Sequence, residues 1–337
     1  MARTLWMLAM VGMLSGLAWP AGSSDWGFLL GLRRDGRGSI GHHGRFLVPA
    51  PDHYRTLWIR RVNGVVQASE LPGLWTPHGG SFRHVDVIRQ SVVLWSEDRI
   101  VVSPAAKAAP WPTPAPGRKR TAGYLSQRIT WLGRDYLSTW TESAGQLFDG
   151  SPPWLENHLS TSPLSRPETP CRLGDKLGDR AVAEVSRTAA DYRMDHPWVA
   201  GFPDTADWGF VRREGTWILS SQVGGHDGAF AVFDVPVCPR RVVGYDGLDP
   251  AWQEVSDSQR SALDAFTAPA RQVLAVVLPG VVEGYRVSDI MRWSDPQWAV
   301  ALEGREFPVM EQWTDDVDQW ERTLGAAGRA LEVRRHF

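Results

Sequence analysis

Apolar and polar residues alternate with a period of two through much of this chain. Around Asp207–Val237, Trp208 and Phe210 alternate with Gly209 and Val211, and Trp217 and Leu219 alternate with Thr216 and Ile218. That period gives each strand one aromatic face to bury. Arg213-Glu214-Gly215 separates the two runs and predicts a three-residue hairpin loop closed by Gly215. The same grammar recurs. Asn63-Gly64 separates Thr56–Arg60 from Val65–Gln67, and Ser96-Glu97-Asp98 separates Val92–Trp95 from Arg99–Val102. Gly133-Arg134-Asp135 separates Ile129–Leu132 from Tyr136–Trp140, and Pro279-Gly280 separates Val273–Leu278 from Val281–Val287. Antiparallel pairs strung in order predict a mainly β chain, a hairpin meander that is propeller-like or a large sandwich.

Asp25-Trp26-Gly27-Phe28 followed by Arg33-Arg34-Asp35-Gly36 has the residue order of the central hairpin. The intervening spacing differs by an odd number, which flips strand parity, so the two are read as hairpins of similar chemistry.

Helical periodicity occurs twice. Val182, Val185, Ala189 and Tyr192 fall on one face, with Asp175 or Asp179 available as a cap. Trp313, Val317, Trp320 and Leu324 form a second stripe, with Asp315, Asp316 and Asp318 in its first turn. The expected architecture is therefore a β meander with one inserted helix and one C-terminal helix.

Two segments break the pattern. Pro104–Pro116 predicts an extended surface loop followed by Arg118-Lys119-Arg120. Ser151–Pro170 reads as a second Pro/Ser-rich loop. A domain division, if the chain has one, belongs in the latter.

Residues 1–24 read differently. Arg3 precedes the uncharged apolar run Leu5–Leu14, and Gly16-Leu17-Ala18 and Gly22-Ser23-Ser24 are small-x-small cleavage candidates. This predicts a secretory signal peptide, or an N-terminal anchor if it is not cleaved. No later stretch predicts a transmembrane span. Residues 25–337 then form a β-rich region outside the cytoplasm.

Composition narrows the function classes. The formal net charge is −2, which argues against a dedicated nucleic-acid surface. The 18 Trp against 6 Tyr and 11 Phe supply large aromatic core residues to a β fold. The only cysteines are Cys171 and Cys238, and export makes the pair read as a disulfide.

Several motifs lack the context their chemistry needs. Gly36-Arg37-Gly38-Ser39-Ile40-Gly41 matches a dinucleotide fingerprint, but His42-His43-Gly44 and Pro49 cannot open the required helix. His78-Gly79-Gly80-Ser81 resembles an esterase oxyanion loop, yet the chain has no G-x-S-x-G elbow. No histidine or acid spacing, including His78, His84 and Asp86, is diagnostic of metal, and no metal or cofactor is expected.

Candidate binding residues are Trp75 and His78 beside the Gly79-Gly80 turn, Trp111 and Trp154 in the Pro-rich segments, and His226-Asp227 in a glycine loop. The resulting expectation is an exported, non-catalytic envelope protein that binds a protein or a glycan. The alternative is an extracytoplasmic hydrolase of glycans or esters, since two carboxylates suffice for a glycosidase.

Overall fold

The computed structural model describes residues 25–36, 39–43, 46–92, 94–104, 121–147, 151–199, 201–224, 230–237, 240–287 and 296–334. The predicted signal peptide, Trp111, His226 and Asp227 lie outside these residues. The chain is mainly β, as the alternation predicts.

A five-stranded sheet forms the middle of the molecule. Its order is β19 (Phe307–Thr314), β1 (Trp26–Arg34), β4 (His53–Val62), β5 (Val65–Pro72) and β20 (Arg329–Leu331). A six-stranded sheet runs β11 (Trp154–Pro163), β10 (Tyr136–Leu147), β9 (Thr121–Leu132), β8 (Trp95–Pro104), β7 (Ser81–Val92) and β6 (Leu74–His78). A second five-stranded sheet runs β15 (Asp264–Thr267), β16 (Val273–Leu278), β17 (Val281–Arg286), β18 (Trp298–Ala301) and β21 (Val333–Arg334). Smaller sheets are β12 (Trp208–Arg213), β13 (Thr216–Gly224) and β14 (Phe230–Val235), and the pair β2 (Ser39–His43) and β3 (Phe46–Pro49). Pairing is antiparallel except where β8 meets β9. Among the described residues no sheet closes into a barrel or repeats as a propeller blade.

The middle sheet is buried on both faces. Phe28, Leu30, Leu32, Leu57 and Ile59 pack with Phe266, Val273, Ala275, Val277 and Trp298 of the second five-stranded sheet. Leu29, Trp58 and Leu71 pack the other way, with Leu74, Phe82, Val85, Ile129 and Leu137 of the six-stranded sheet. β16 is likewise apolar on both sides. Its Leu274, Val276 and Leu278 meet Val255 of α4 (Trp252–Ser258). Such two-sided burial explains why β1 and β16 read as nearly continuous apolar runs.

Three predicted turns hold in place. Asn63-Gly64 joins β4 to β5, with both residues at positive φ (50° and 79°). The hairpins β9–β10 and β16–β17 also form as read.

Other expectations are corrected. The central hairpin turns on two residues, Glu214 and Gly215 at φ 51° and 77°, because both adopt the left-handed conformation of a tight turn. Ser96-Glu97-Asp98 lies inside β8, and the hairpin closes where Val92 pairs with Trp95. Asp98 can sit within the strand because Arg89 on β7 grips it at 2.6 Å. The first Asp-Trp-Gly-Phe segment is no hairpin: β1 pairs with β4 and β19, neither adjacent to it in sequence. Much of Ser151–Pro170 is strand, since β11 pairs with β10 along its whole length and Pro152, Pro153 and Pro163 fall at its ends.

The inserted helix is α2 (Asp179–Asp195), burying Ala181, Val185 and Ala189. Its N-cap is Gly178, so neither predicted aspartate caps it. Short α1 (Leu173–Leu177), α3 (Arg240–Val243) and α4 carry too few turns to show a periodicity. The C-terminal helix is α5 (Val317–Leu324), capped by Asp316, whose side chain accepts from the Gln319 amide. Trp313 does not belong to its stripe. It pairs with Phe28 in the β19–β1 ladder and stacks on that ring at 4.1 Å, in the opposite core. Cys171 carries a free, partly buried thiol, so the expected bridge is not seen; Cys238 lies outside the described residues.

A tryptophan platform as candidate functional site

Strand register assembles a single row of side chains at one end of the six-stranded sheet. Val92 pairs with Trp95, Trp95 with Gly123, Gly123 with Gly145, and Gly145 with Trp154. Paired residues share a face, so all five lie on one side. The next row on that face is Gln90, Glu97, Leu125, Ser143 and Glu156.

Trp95 and Trp154 stand on strands three ladder steps apart, about 14 Å at the usual strand spacing. Their ring centroids are nevertheless 6.3 Å apart, tilted by 44°. The indoles therefore lean toward each other across the two glycines between them. A Cβ on Gly145 would stand 2.6 Å from the Trp154 ring. Gly123 has φ +150°, and a Cβ there would lie 2.0 Å from the Ala144 carbonyl oxygen. Glycine is needed at both positions for the backbone to approach so closely. Trp95 is 6% exposed and Trp154 is half-buried, so Trp154 presents the more open ring.

Polar groups frame the rings. The Trp95 indole Nε1 donates to Glu97 Oε2 at 3.4 Å, and Arg99 Nε donates to Glu97 Oε1 at 3.2 Å. Glu156 is exposed, two residues from Trp154 on the same face. His158, next along β11, has Nδ1 3.6 Å from Asp207, whose carboxyl is pushed up by burial. Val92, Leu94 and Leu147 are exposed aliphatic residues at this end of the sheet. Behind the platform Tyr124, Ala144 and Val48 pack together, so the β2–β3 hairpin closes the reverse face.

The other described candidates, Trp75 and His78, fall elsewhere. Trp75 is buried on β6, at the far edge of the sheet from β11, and its Nε1 donates to the Pro72 carbonyl at 2.7 Å. His78, at the end of β6, faces Asp135 at 3.3 Å and the Arg134 carbonyl at 3.2 Å. Of the sequence candidates among the described residues, only Trp154 joins the platform. Trp95, Gly123 and Gly145 were missed, although isolated glycines inside alternating strands signal close approach.

A cleft of about 480 Å³ opens elsewhere, lined by Arg34, Asp35, Gly36, Ala50, His53 and Glu303. Its charges are largely paired: Arg34 meets Glu303 at 2.6 Å, and Asp35 meets Arg33 at 3.0 Å. The Arg34 hydrogen bond and the charge of Arg55 hold the Glu303 carboxyl below the usual range. Among the described residues no three His, Cys, Asp or Glu side chains are placed to hold a metal ion. No helix among them is long and apolar enough to cross a membrane. The chain matches no protein-family model, no curated protein and no solved structure.

Proposed function

We propose that this protein is exported to the cell envelope and binds a glycan there, without catalysis, on the Trp95–Trp154 platform. One observation carries the reading: two indoles converge over a glycine floor, with Trp154 partly open and a carboxylate beside it. An indole face offers apolar area to the C–H side of a pyranose, while Glu156 accepts hydrogen bonds from its hydroxyls. The N-terminal pattern around Leu5–Leu14 supports export.

The test is affinity electrophoresis and intrinsic fluorescence of the mature chain against envelope polysaccharides. Trp154→Ala is expected to weaken binding at least about tenfold while leaving the fold intact, because stacking onto a single aromatic contributes on that order. Retention unchanged by the substitution would remove the platform from the reading. Release of reducing ends or of acid from esters by the purified protein would favour the hydrolase instead.

A further inference from the structure

The platform continues along β11 as a polar strip. On the face that holds Trp154, the strand next presents Glu156 and then His158, both exposed. Their cross-strand neighbours on that face are Ser143 and Thr141, and Thr141 is paired in turn with Gln127. The pairing of β10 with β11 runs without a register shift over this length, so the strip is continuous. Trp154 and His158 stand four residues apart, about 13 Å along an extended strand.

The far end of the strip is fixed in place. His158 Nδ1 lies 3.6 Å from Asp207 Oδ1, and Asp207 sits immediately before β12. The Asp207 carbonyl accepts from Ser221 Oγ at 2.8 Å and from the Gln222 amide at 3.3 Å. The Gln222 side chain donates in turn to the Asn157 carbonyl. These bonds tie β13 to the outer edge of β11 beside His158. The imidazole therefore stands on a strand, against a partner that is itself anchored, which is the support a binding group needs.

Resting on the reading that the platform binds a glycan, we propose that its ligand is an extended chain of the cellulose or chitin type lying along β11, with one sugar on Trp154 and a later one against His158. The strip is too long for a single pyranose ring. The Trp154 indole takes the C–H face of one sugar, Glu156 accepts hydrogen bonds from hydroxyls, and His158 beside Asp207 supplies a donor and an acceptor farther on. Linkage through equatorial positions keeps such a chain extended over this length, whereas a starch-type chain curls away from the strand. A strip built on paired strands needs little ordering when the chain binds.

The test is titration of the purified protein, by intrinsic fluorescence and calorimetry, with cello- and chito-oligosaccharides from the monosaccharide to the hexasaccharide, and with malto-oligosaccharides beside them. Affinity is expected to rise from the monosaccharide to about the tetrasaccharide and then level off in at least one extended series, and not to rise in the malto series. Trp154→Ala is expected to weaken every length. His158→Ala is expected to weaken the tetrasaccharide about three- to tenfold, as the loss of one hydrogen bond does, and to leave the disaccharide unchanged. His158→Gln, which keeps a donor and an acceptor, is expected to restore part of that loss. In the wild type the His158 imidazole resonances are expected to shift with the tetrasaccharide and not with the monosaccharide, which reads the contact without a substitution. No gain with length, an equal gain in the malto series, or His158 resonances unmoved by the tetrasaccharide overturns the strip and leaves the platform standing as a glycan site. Binding of no oligosaccharide and no envelope polysaccharide overturns both.

Discussion

At the scale of single residues, the strand period shows which tryptophans are buried but not what they touch. Trp58, Trp131, Trp208 and Trp298 are fully buried, in agreement with the core role that alternation assigns to most tryptophans. Partners from distant strands include Trp26 for Trp298 and Phe210 for Trp131. Trp298 lies opposite Gly284 on β17, and an added Cβ there would stand 1.8 Å from the indole. Gly284 has ordinary strand geometry, so alanine costs nothing in φ and would otherwise be favoured. The clash with a ring 1% exposed outweighs that gain. Gly284→Ala is expected to destabilise by about 1–3 kcal/mol, measured by urea denaturation. The cluster of Arg212 with Asp246, Asp264 and Glu311 was illegible for a related reason. Its acids lie 34, 52 and 99 residues along the chain, and a buried ion pair leaves no periodic trace.

At the scale of elements, hairpins with explicit turn chemistry were legible. Asn63-Gly64 and Pro279-Gly280 fixed their registers because few other residues tolerate the required φ. Polar residues inside strands misled: Ser96-Glu97-Asp98 looks like a turn until Arg89 supplies its partner. The C-terminal helix was readable from its apolar stripe, and its start was not, since Trp313 extends the same spacing into β19. α5 docks against the middle sheet through Val317, Trp320 and Leu324, without Trp313. Trp320 packs on Trp58 at 5.5 Å and edge-on to Phe82 at 5.3 Å, beside buried Val317 and Leu324. Its loss would leave a cavity between three elements that the rigid sheet cannot refill. Trp320→Ala is expected to cost about 3–5 kcal/mol by chemical denaturation, and a cost under about 0.5 kcal/mol would make the helix peripheral.

At the scale of the whole molecule, the sequence shows β content without showing which sheet covers which. Alternation assigns faces within a strand, and only three-dimensional stacking decides which face meets which neighbour. The stacking makes the middle sheet common property. Phe28 and Leu30 belong to one core and Leu29, between them, to the other. Neither outer sheet can leave without exposing one face of β1. The β12–β14 sheet is attached twice more, by Arg212 and by Trp131, which meets Phe210 at 4.8 Å and Trp217 at 6.5 Å. Calorimetry is therefore expected to give one transition with matching calorimetric and van't Hoff enthalpies. Leu29→Ala and Leu30→Ala, on opposite faces, are expected to lower that single midpoint, each through about 2–5 kcal/mol of lost packing. Two resolved transitions, each sensitive to only one of the substitutions, would show instead that the layers on either side of β1 unfold independently.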